Sequence, residues 1–180
     1  NDVVIHVKLL DNDNVLQQQA VGTLGVNLIY ACFYYHTVPT IFLQSLTDNL
    51  SRDSFQIDMI RFEGPDFSKV DNRLMSMKLV ELGLSGAAMF GARGEVLQPS
   101  EVMYKRPILL ARGSFRPVSN SHLDILRSAR ETLYPEPAVA ESAHLLELAE
   151  LTLRNLRGDR REVDHQDFLL RADMLAKVGK

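Results

Sequence analysis

The sequence has one cysteine, no surplus of basic residues and no long apolar run, and each shortage excludes a class of protein. Because Cys32 has no second cysteine to pair with, the chain holds no internal disulfide and we expect a cytoplasmic protein. Its 20 basic and 23 acidic residues give a formal charge of −3. That balance lacks the basic footprint needed to bind a nucleic-acid backbone or an anionic membrane. We therefore expect neither as a partner.

The longest apolar stretch covers residues 20–35, which is short for a membrane span. It is also interrupted by Thr23 and Asn27. Apolar residues recur along it at helical spacing, so the segment predicts a central, buried helix over residues 15–35.

The rest of the composition is that of a folded domain. The 180 residues are 46% hydrophobic and 24% charged, with only 7 prolines and 10 glycines. A chain of this length buries a core without disulfides or metals. It begins at Asn1 without methionine and ends just after an amphipathic run. We therefore expect a single α/β domain that is part of a longer protein.

Residues 1–104 alternate between strand and helix patterns. A β-branched run over residues 3–10 predicts a strand, and the cluster Asp11 to Asn14 predicts a turn. Apolar residues with period two predict another strand over residues 55–62, whose third apolar position is Met59 or Ile60. Further predicted elements are helices over residues 41–50 and 72–82, a short strand over 87–90 and a loop over 91–99.

Residues 105–180 begin with an apolar run that resembles a buried parallel strand, residues 107–111. A helix follows, with a capping pattern at Ser121 and Asp124. Two more amphipathic helices are predicted over residues 141–156 and 164–178, so we expect residues 135–180 to form a helical extension. Strands interleaved with helices predict an α/β fold, with a mainly parallel, Rossmann-like sheet, helices on both faces and a helical C-terminal segment.

The strand, tight turn and helix over residues 105–134 have the geometry that holds a phosphate group. Gly113 permits a sharp turn, and the N–H groups at the start of the next helix face an anion. Such a turn also occurs as a plain link between strand and helix. Arg112 and Arg116, which flank it, are then ordinary solvated charges.

The string GSFRPVSNSHL over residues 113–123 resembles the G-S-F-N-P-x-T-x-x-H-L signature of nicotinamide and nicotinate mononucleotide adenylyltransferases, which belong to the nucleotidyltransferase superfamily. In that family the phosphate of a mononucleotide attacks the α-phosphate of a nucleoside triphosphate, and pyrophosphate leaves. The resemblance implies ATP as a substrate, with Mg²⁺ supplied by the nucleotide rather than by a protein cage. The matching stretch is about residues 106–133. The wider pattern is also similar to longer bacterial proteins labelled nicotinate-nucleotide adenylyltransferase-like.

The resemblance assigns roles residue by residue. His122 matches the catalytic histidine that contacts the phosphates, and Ser119 takes the place of the family's Thr or His. The remaining nucleotide- or phosphate-binding positions are Gly113, Ser114, Phe115, Arg116 and Asn120. We predict no metal-binding residues of the chain itself.

This chain departs from the family in four ways. Arg116 replaces the usual Asn or Asp, and either adds a phosphate contact or blocks the nucleotide. About 110 residues precede the motif, whereas the family's motif opens the protein. Residues 138–178 have helical patterns where the family has a second strand. The family's later I-S-S-T-x-x-R motif has no counterpart.

A different class of function is open as well. The chain is then a non-catalytic structural or interaction domain, in which residues 15–35 pack across a subunit interface and form a homo-oligomer. Neither the Asp11 to Asn14 cluster nor Asp164 to Asp167 is expected to bind metal. The first lacks the glycine and distant glutamate of a calcium loop, and the second opens a helix, where aspartate is a favoured cap.

Overall fold

The computed structural model describes residues 1–133, 145–160 and 162–178. Over these ranges the chain is a mixed α/β protein with small sheets, which confirms the predicted class in its general form. It divides into two compact units. The first contains Asn1–Phe90 and Glu95–Gln98, and the second contains Gly91–Gly94 and Pro99–Lys180.

The first unit is a pair of antiparallel strands packed with three helices. Strand β1 pairs with β2 along its whole length, and β3 pairs with β4 in a second antiparallel ladder. Asp13 caps α1 by accepting hydrogen bonds from the backbone N–H groups of Val15 and Leu16. The elements are β1 (Asp2–Leu9), α1 (Asn14–Tyr34), α2 (Pro39–Ser45), β2 (Phe55–Glu63), a 3-10 turn (Pro65–Phe67), α3 (Asn72–Glu81), β3 (Met89–Phe90) and β4 (Val96–Leu97).

A β-bulge in the first ladder decides which residues of β2 are buried. His6 pairs with Met59, but Val7 pairs with Ile57, so Asp58 is an extra residue on β2. The inward positions therefore shift by one after the bulge, and Ile60, not Met59, enters the core. The bulge settles the choice between Met59 and Ile60 that the sequence left open.

Helix α1 is present where it was predicted, but it is buried on one side only. Of its residues, Ala20, Leu24 and Ala31 are buried, and Leu24 and Ala31 join the core cluster of the first unit. The opposite side exposes large apolar side chains, and Phe33 is 74% accessible. The expectation of a buried helix was therefore wrong for this side, because apolar content does not reveal how many faces of a helix receive a partner.

The second unit contains two parallel strands that pair with each other and are connected in sequence through a helix. β5 pairs with β6 in register from Ile108 against Leu146 to Arg112 against Glu150. Helix α5 lies between the two strands in sequence and packs on β5. The elements are α4 (Pro99–Val102), β5 (Ile108–Arg112), α5 (Asn120–Leu133), β6 (Leu146–Glu150), α6 (Leu153–Arg157) and α7 (His165–Val178).

The predicted helix over residues 141–156 was wrong in its described part. Residues 145–156 contain strand β6 and only the start of α6, which Thr152 caps through the N–H of Asn155. The sequence Leu146–Glu150 is short enough to satisfy both helical and period-two patterns, and pairing with β5 selects the strand. The expectation of a helical extension over residues 135–180 was therefore wrong at Leu146–Glu150, which form a strand. Residues 134–144 lie outside the described part.

Strand β5 is parallel, as predicted, but it is not buried on both faces. Ile108 and Leu110 are 42% and 50% accessible, whereas the alternating residues Leu109 and Ala111 are half-buried. Helix α5, which begins at Asn120 and so one residue before the predicted cap Ser121, packs on this strand.

No helix in the described ranges combines the length and apolar character required to cross a membrane.

Candidate functional site

The turn after β5 begins with a glycine that the local packing requires. The N–H of Gly113 continues the ladder by donating to the carbonyl of Glu150 at 3.2 Å. A Cβ atom at this position would lie 3.3 Å from the ring of Phe115. The absence of a side chain therefore lets the Phe115 ring fold back beneath the turn.

Phe115 anchors the turn at the expense of backbone strain. Its side chain is fully enclosed, with 1% of the residue accessible, yet its φ of 46° lies in the left-handed region that disfavours a bulky residue. Such a conformation costs on the order of 1–3 kcal/mol and persists only where packing enforces it. The Phe115 ring centroid lies 4.9 Å from that of His122. The buried ring therefore fixes one side of the histidine.

The hydrogen bonds of His122 define which nitrogen is available to a ligand. The backbone N–H of Ser119 donates to Nδ1 of His122 at 3.0 Å, and Ser119 Oγ lies 2.7 Å from the same atom. Because Nδ1 accepts a hydrogen bond, the proton of the neutral imidazole is on Nε2. His122 thus has its second nitrogen prepared as a hydrogen-bond donor at the beginning of α5.

The remaining predicted site residues are exposed to solvent, and one of them also contacts another helix. Ser114 and Asn120 are exposed, and Asn120 is the first residue of α5. Arg116 is also mostly exposed, and its Nε lies 3.5 Å from a carboxylate oxygen of Asp167. The structure thus brings Gly113, Phe115, Ser119 and His122 into contact, whereas Arg116 is directed toward α7.

Arg171, which the sequence did not single out, holds the turn from below. It is 1% accessible, and its guanidinium donates to the carbonyls of Ser114 at 2.9 Å and Asn155 at 3.2 Å. The same group pairs with the carboxylate of Asp167. Asn155 in turn donates to the carbonyl of Gly113 at 3.3 Å. Helices α6 and α7 therefore fix two consecutive carbonyls of the turn.

Arg112, at the end of β5, is paired rather than free. It donates to both carboxylate oxygens of Glu150, at 2.8 and 3.1 Å. These hydrogen bonds raise the pKa of the Arg112 guanidinium above its ordinary value. Arg112 therefore joins the ends of the two parallel strands, and it is Arg116 that extends from the turn.

Other side chains that could bind a metal or a ligand take part in structural interactions instead. Asp13 caps α1, and Asp164 accepts from the backbone N–H groups of Gln166 and Asp167 at the start of α7. Those hydrogen bonds, from Asp167 above all, and the guanidinium of Arg160 hold the pKa of Asp164 below its ordinary value. Burial raises the pKa of the Cys32 thiol, which disfavours the reactive thiolate. No cluster of three or more metal-ligand residues occurs in the described part of the chain.

No family model, curated protein or solved structure matches this chain. The features that bear on function are the motif over residues 113–123 and the geometry of the turn that contains it.

Substituting Gly113 with alanine tests the packing of the turn. Because the new Cβ lies 3.3 Å from the Phe115 ring, we expect the ring to move and the free energy of unfolding to fall by about 1–3 kcal/mol. Urea denaturation followed by circular dichroism measures the loss. The matched control is Gly25→Ala in α1, because Gly25 has no positive φ and its new Cβ would meet no atom within 4 Å. Equal stability of Gly113→Ala and the unmodified chain would contradict the role given to Gly113.

Proposed function

We propose that the second unit binds the triphosphate of Mg²⁺-ATP at the turn between β5 and α5 and transfers the adenylyl group to nicotinate or nicotinamide mononucleotide. The reaction and its substrates are those implied by the resemblance of residues 113–123. The structural observation that carries the phosphate site is the Ser119–His122 contact, which occupies Nδ1 and leaves Nε2 as the donor nitrogen at the first turn of α5. The strained, buried Phe115 supports it, because strain of this kind concentrates at functional sites.

The proposed reaction requires positioning and charge stabilisation rather than a covalent intermediate. A phosphate oxygen of the mononucleotide forms a bond to the α-phosphorus of ATP, while the bond from that phosphorus to the pyrophosphate breaks. Negative charge on the α-phosphate oxygens meets the Nε2–H of His122 and the positive end of the α5 dipole. Mg²⁺ arrives with the nucleotide and neutralises the leaving pyrophosphate. The single cysteine agrees with the cytoplasm as the proposed compartment.

We propose further that β5 and β6 are two strands of a larger, Rossmann-like parallel sheet and that α5 is the helix that connects them. Parallel strands joined through a helix are the building unit of that fold. The accessible side chains of Ile108 and Leu110 support the proposal, since parallel sheets are normally covered on both faces.

Calorimetric titration tests the nucleotide site directly. Mg²⁺-ATP is titrated into the 180-residue chain and into its His122→Ala variant. Saturable binding by the unmodified chain that is weakened in the variant supports the proposal. Absence of heat from the unmodified chain would overturn it.

A second candidate function is self-association through α1. Residues 14–47 contain no Asp, Glu, Lys or Arg, and one side of α1 exposes an apolar stripe of Val26, Ile29 and Phe33. Gly22 lies in the same stripe, and no atom approaches the position of its missing Cβ within 4 Å. A surface without charges is complementary to itself, since two copies facing each other meet no like-charge repulsion. A second copy of the chain is therefore the proposed partner.

Phe33→Glu is expected to dissociate this oligomer. The unmodified chain should sediment as a dimer or larger species at micromolar concentration, and the variant as a monomer, because the new carboxylate would be buried without a partner. Ser68→Glu is the control, as it adds the same charge at an exposed position of the first unit outside α1. A monomeric unmodified chain would exclude this candidate.

A further inference from the structure

The second unit contains a cleft beside the turn that is lined mainly by charged groups. Its volume is about 260 Å³, and three arginines reach it: Arg116 from the turn, Arg157 from the end of α6 and Arg160 from the following loop. Pockets that enclose whole drug-sized ligands measure about 300–1,000 Å³. A cleft of this size therefore fits a small charged group better than an entire nucleotide.

The carboxylates that line the same cleft are largely committed to the protein itself. Asp164 caps α7 with one oxygen and pairs with Arg160 through the other. Asp167 pairs closely with the buried Arg171, which leaves the 3.5 Å contact to Arg116 as a secondary interaction. The third carboxylate, Asp159, is exposed. These carboxylates therefore do not fully neutralise the arginines of the cleft.

Arg157 has the least compensation of the three arginines. Its Nε is buried, and no described group accepts its hydrogen. An unpaired, desolvated guanidinium N–H costs free energy unless a ligand or ordered water accepts it. Guanidinium groups bind phosphate through parallel N–H donors, so an oxyanion in the cleft can bind the part of the Arg157 side chain that lines it and compete for the exposed Arg116.

We infer that this cleft binds the phosphate of the acceptor mononucleotide, with Arg157 as its principal contact and Arg116 as the second. The inference rests on the proposed function, since it supplies the acceptor subsite of the same reaction. Arg116 belongs to the turn that bears the ATP site and also lines the cleft. A phosphate held there is thus adjacent to the proposed triphosphate site, which the attack on the α-phosphorus requires.

The test is calorimetric titration of nicotinate mononucleotide into the unmodified chain, Arg157→Gln and Arg157→Lys. We expect Arg157→Gln to weaken binding at least tenfold, because it removes a charge-assisted hydrogen bond. Arg157→Lys, which keeps the charge, should retain more affinity than Arg157→Gln. Inorganic phosphate should compete for the same site. The matched control is Arg154→Gln, an exposed residue of α6 that does not line the cleft.

Three results would overturn the inference: no binding of nicotinate mononucleotide to the unmodified chain, equal binding by Arg157→Gln, or no competition from phosphate. The same samples titrated with Mg²⁺-ATP separate the two proposals. Binding of ATP without binding of the mononucleotide overturns the acceptor subsite alone. Arg157-dependent binding of the mononucleotide without any binding of ATP supports the phosphate cleft and overturns the adenylyltransferase proposal.

Discussion

His122→Ala is expected to weaken Mg²⁺-ATP binding by roughly 10- to 100-fold and to abolish adenylyl transfer. The estimate follows from the loss of one hydrogen bond to a charged group, which contributes about 1.5–3 kcal/mol. The Nε2–H is available because Ser119 occupies Nδ1 of the same ring. The measurement is calorimetry for binding, together with pyrophosphate release for turnover.

The controls for this variant separate a ligand contact from a structural effect. His122 is half-buried and lies beside Phe115, so far-ultraviolet circular dichroism must show that His122→Ala retains the helical content. Ser128→Ala, an exposed position two turns further along α5, should bind ATP normally. Unchanged ATP binding and turnover in a folded His122→Ala variant would refute the role of His122.

Arg171→Met is expected to lower the free energy of unfolding by about 3–5 kcal/mol. Removing one partner of a buried ion pair leaves the other charge uncompensated, and here that partner is Asp167. The substitution also removes the donors that satisfy the carbonyls of Ser114 and Asn155. Urea denaturation followed by circular dichroism measures the change.

A double variant isolates the cause of this loss. Arg171→Met combined with Asp167→Leu removes both charges, and replacing a buried pair by apolar residues is often nearly neutral. We therefore expect the double variant to be more stable than Arg171→Met alone. Lys177→Met, at an exposed position of the same helix, should change stability by less than about 0.5 kcal/mol. If Arg171→Met were as stable as Lys177→Met, the contacts of Arg171 with the turn would contribute nothing to the free energy of unfolding.

The sequence pattern predicted a contact within the turn, between Ser119 and His122, but not the residues that support the turn. Residues 113 to 122 are close in the chain, so strand, turn and helix patterns suffice to predict that Ser119 approaches His122 at the start of a helix. Arg171 lies 57 residues from Ser114, and no local period indicates that contact. The i, i+4 spacing of Asp167 and Arg171 was the one signal available for it.

Strand pairing shows the same division between local and distant information. The apolar alternation of β1 and β2 is visible in the sequence, but the bulge at Asp58, which brings that carboxylate to His6, depends on residues 52 positions apart. Likewise the segment Leu146–Glu150 satisfies helical and strand patterns equally, and only its place beside β5 makes it a strand.

The α/β class, most of the elements and the motif from Gly113 to His122 are visible in the amino-acid sequence, because each depends on periodicity or chemistry within a few residues. Four features follow from tertiary contacts instead: the register of β2, the strand identity of β6, the exposure of one side of α1 and the burial of Arg171 under the turn. These features arise from contacts between segments far apart in the chain, and the free energy of such contacts is greater than the small differences in local propensity that a sequence pattern reports.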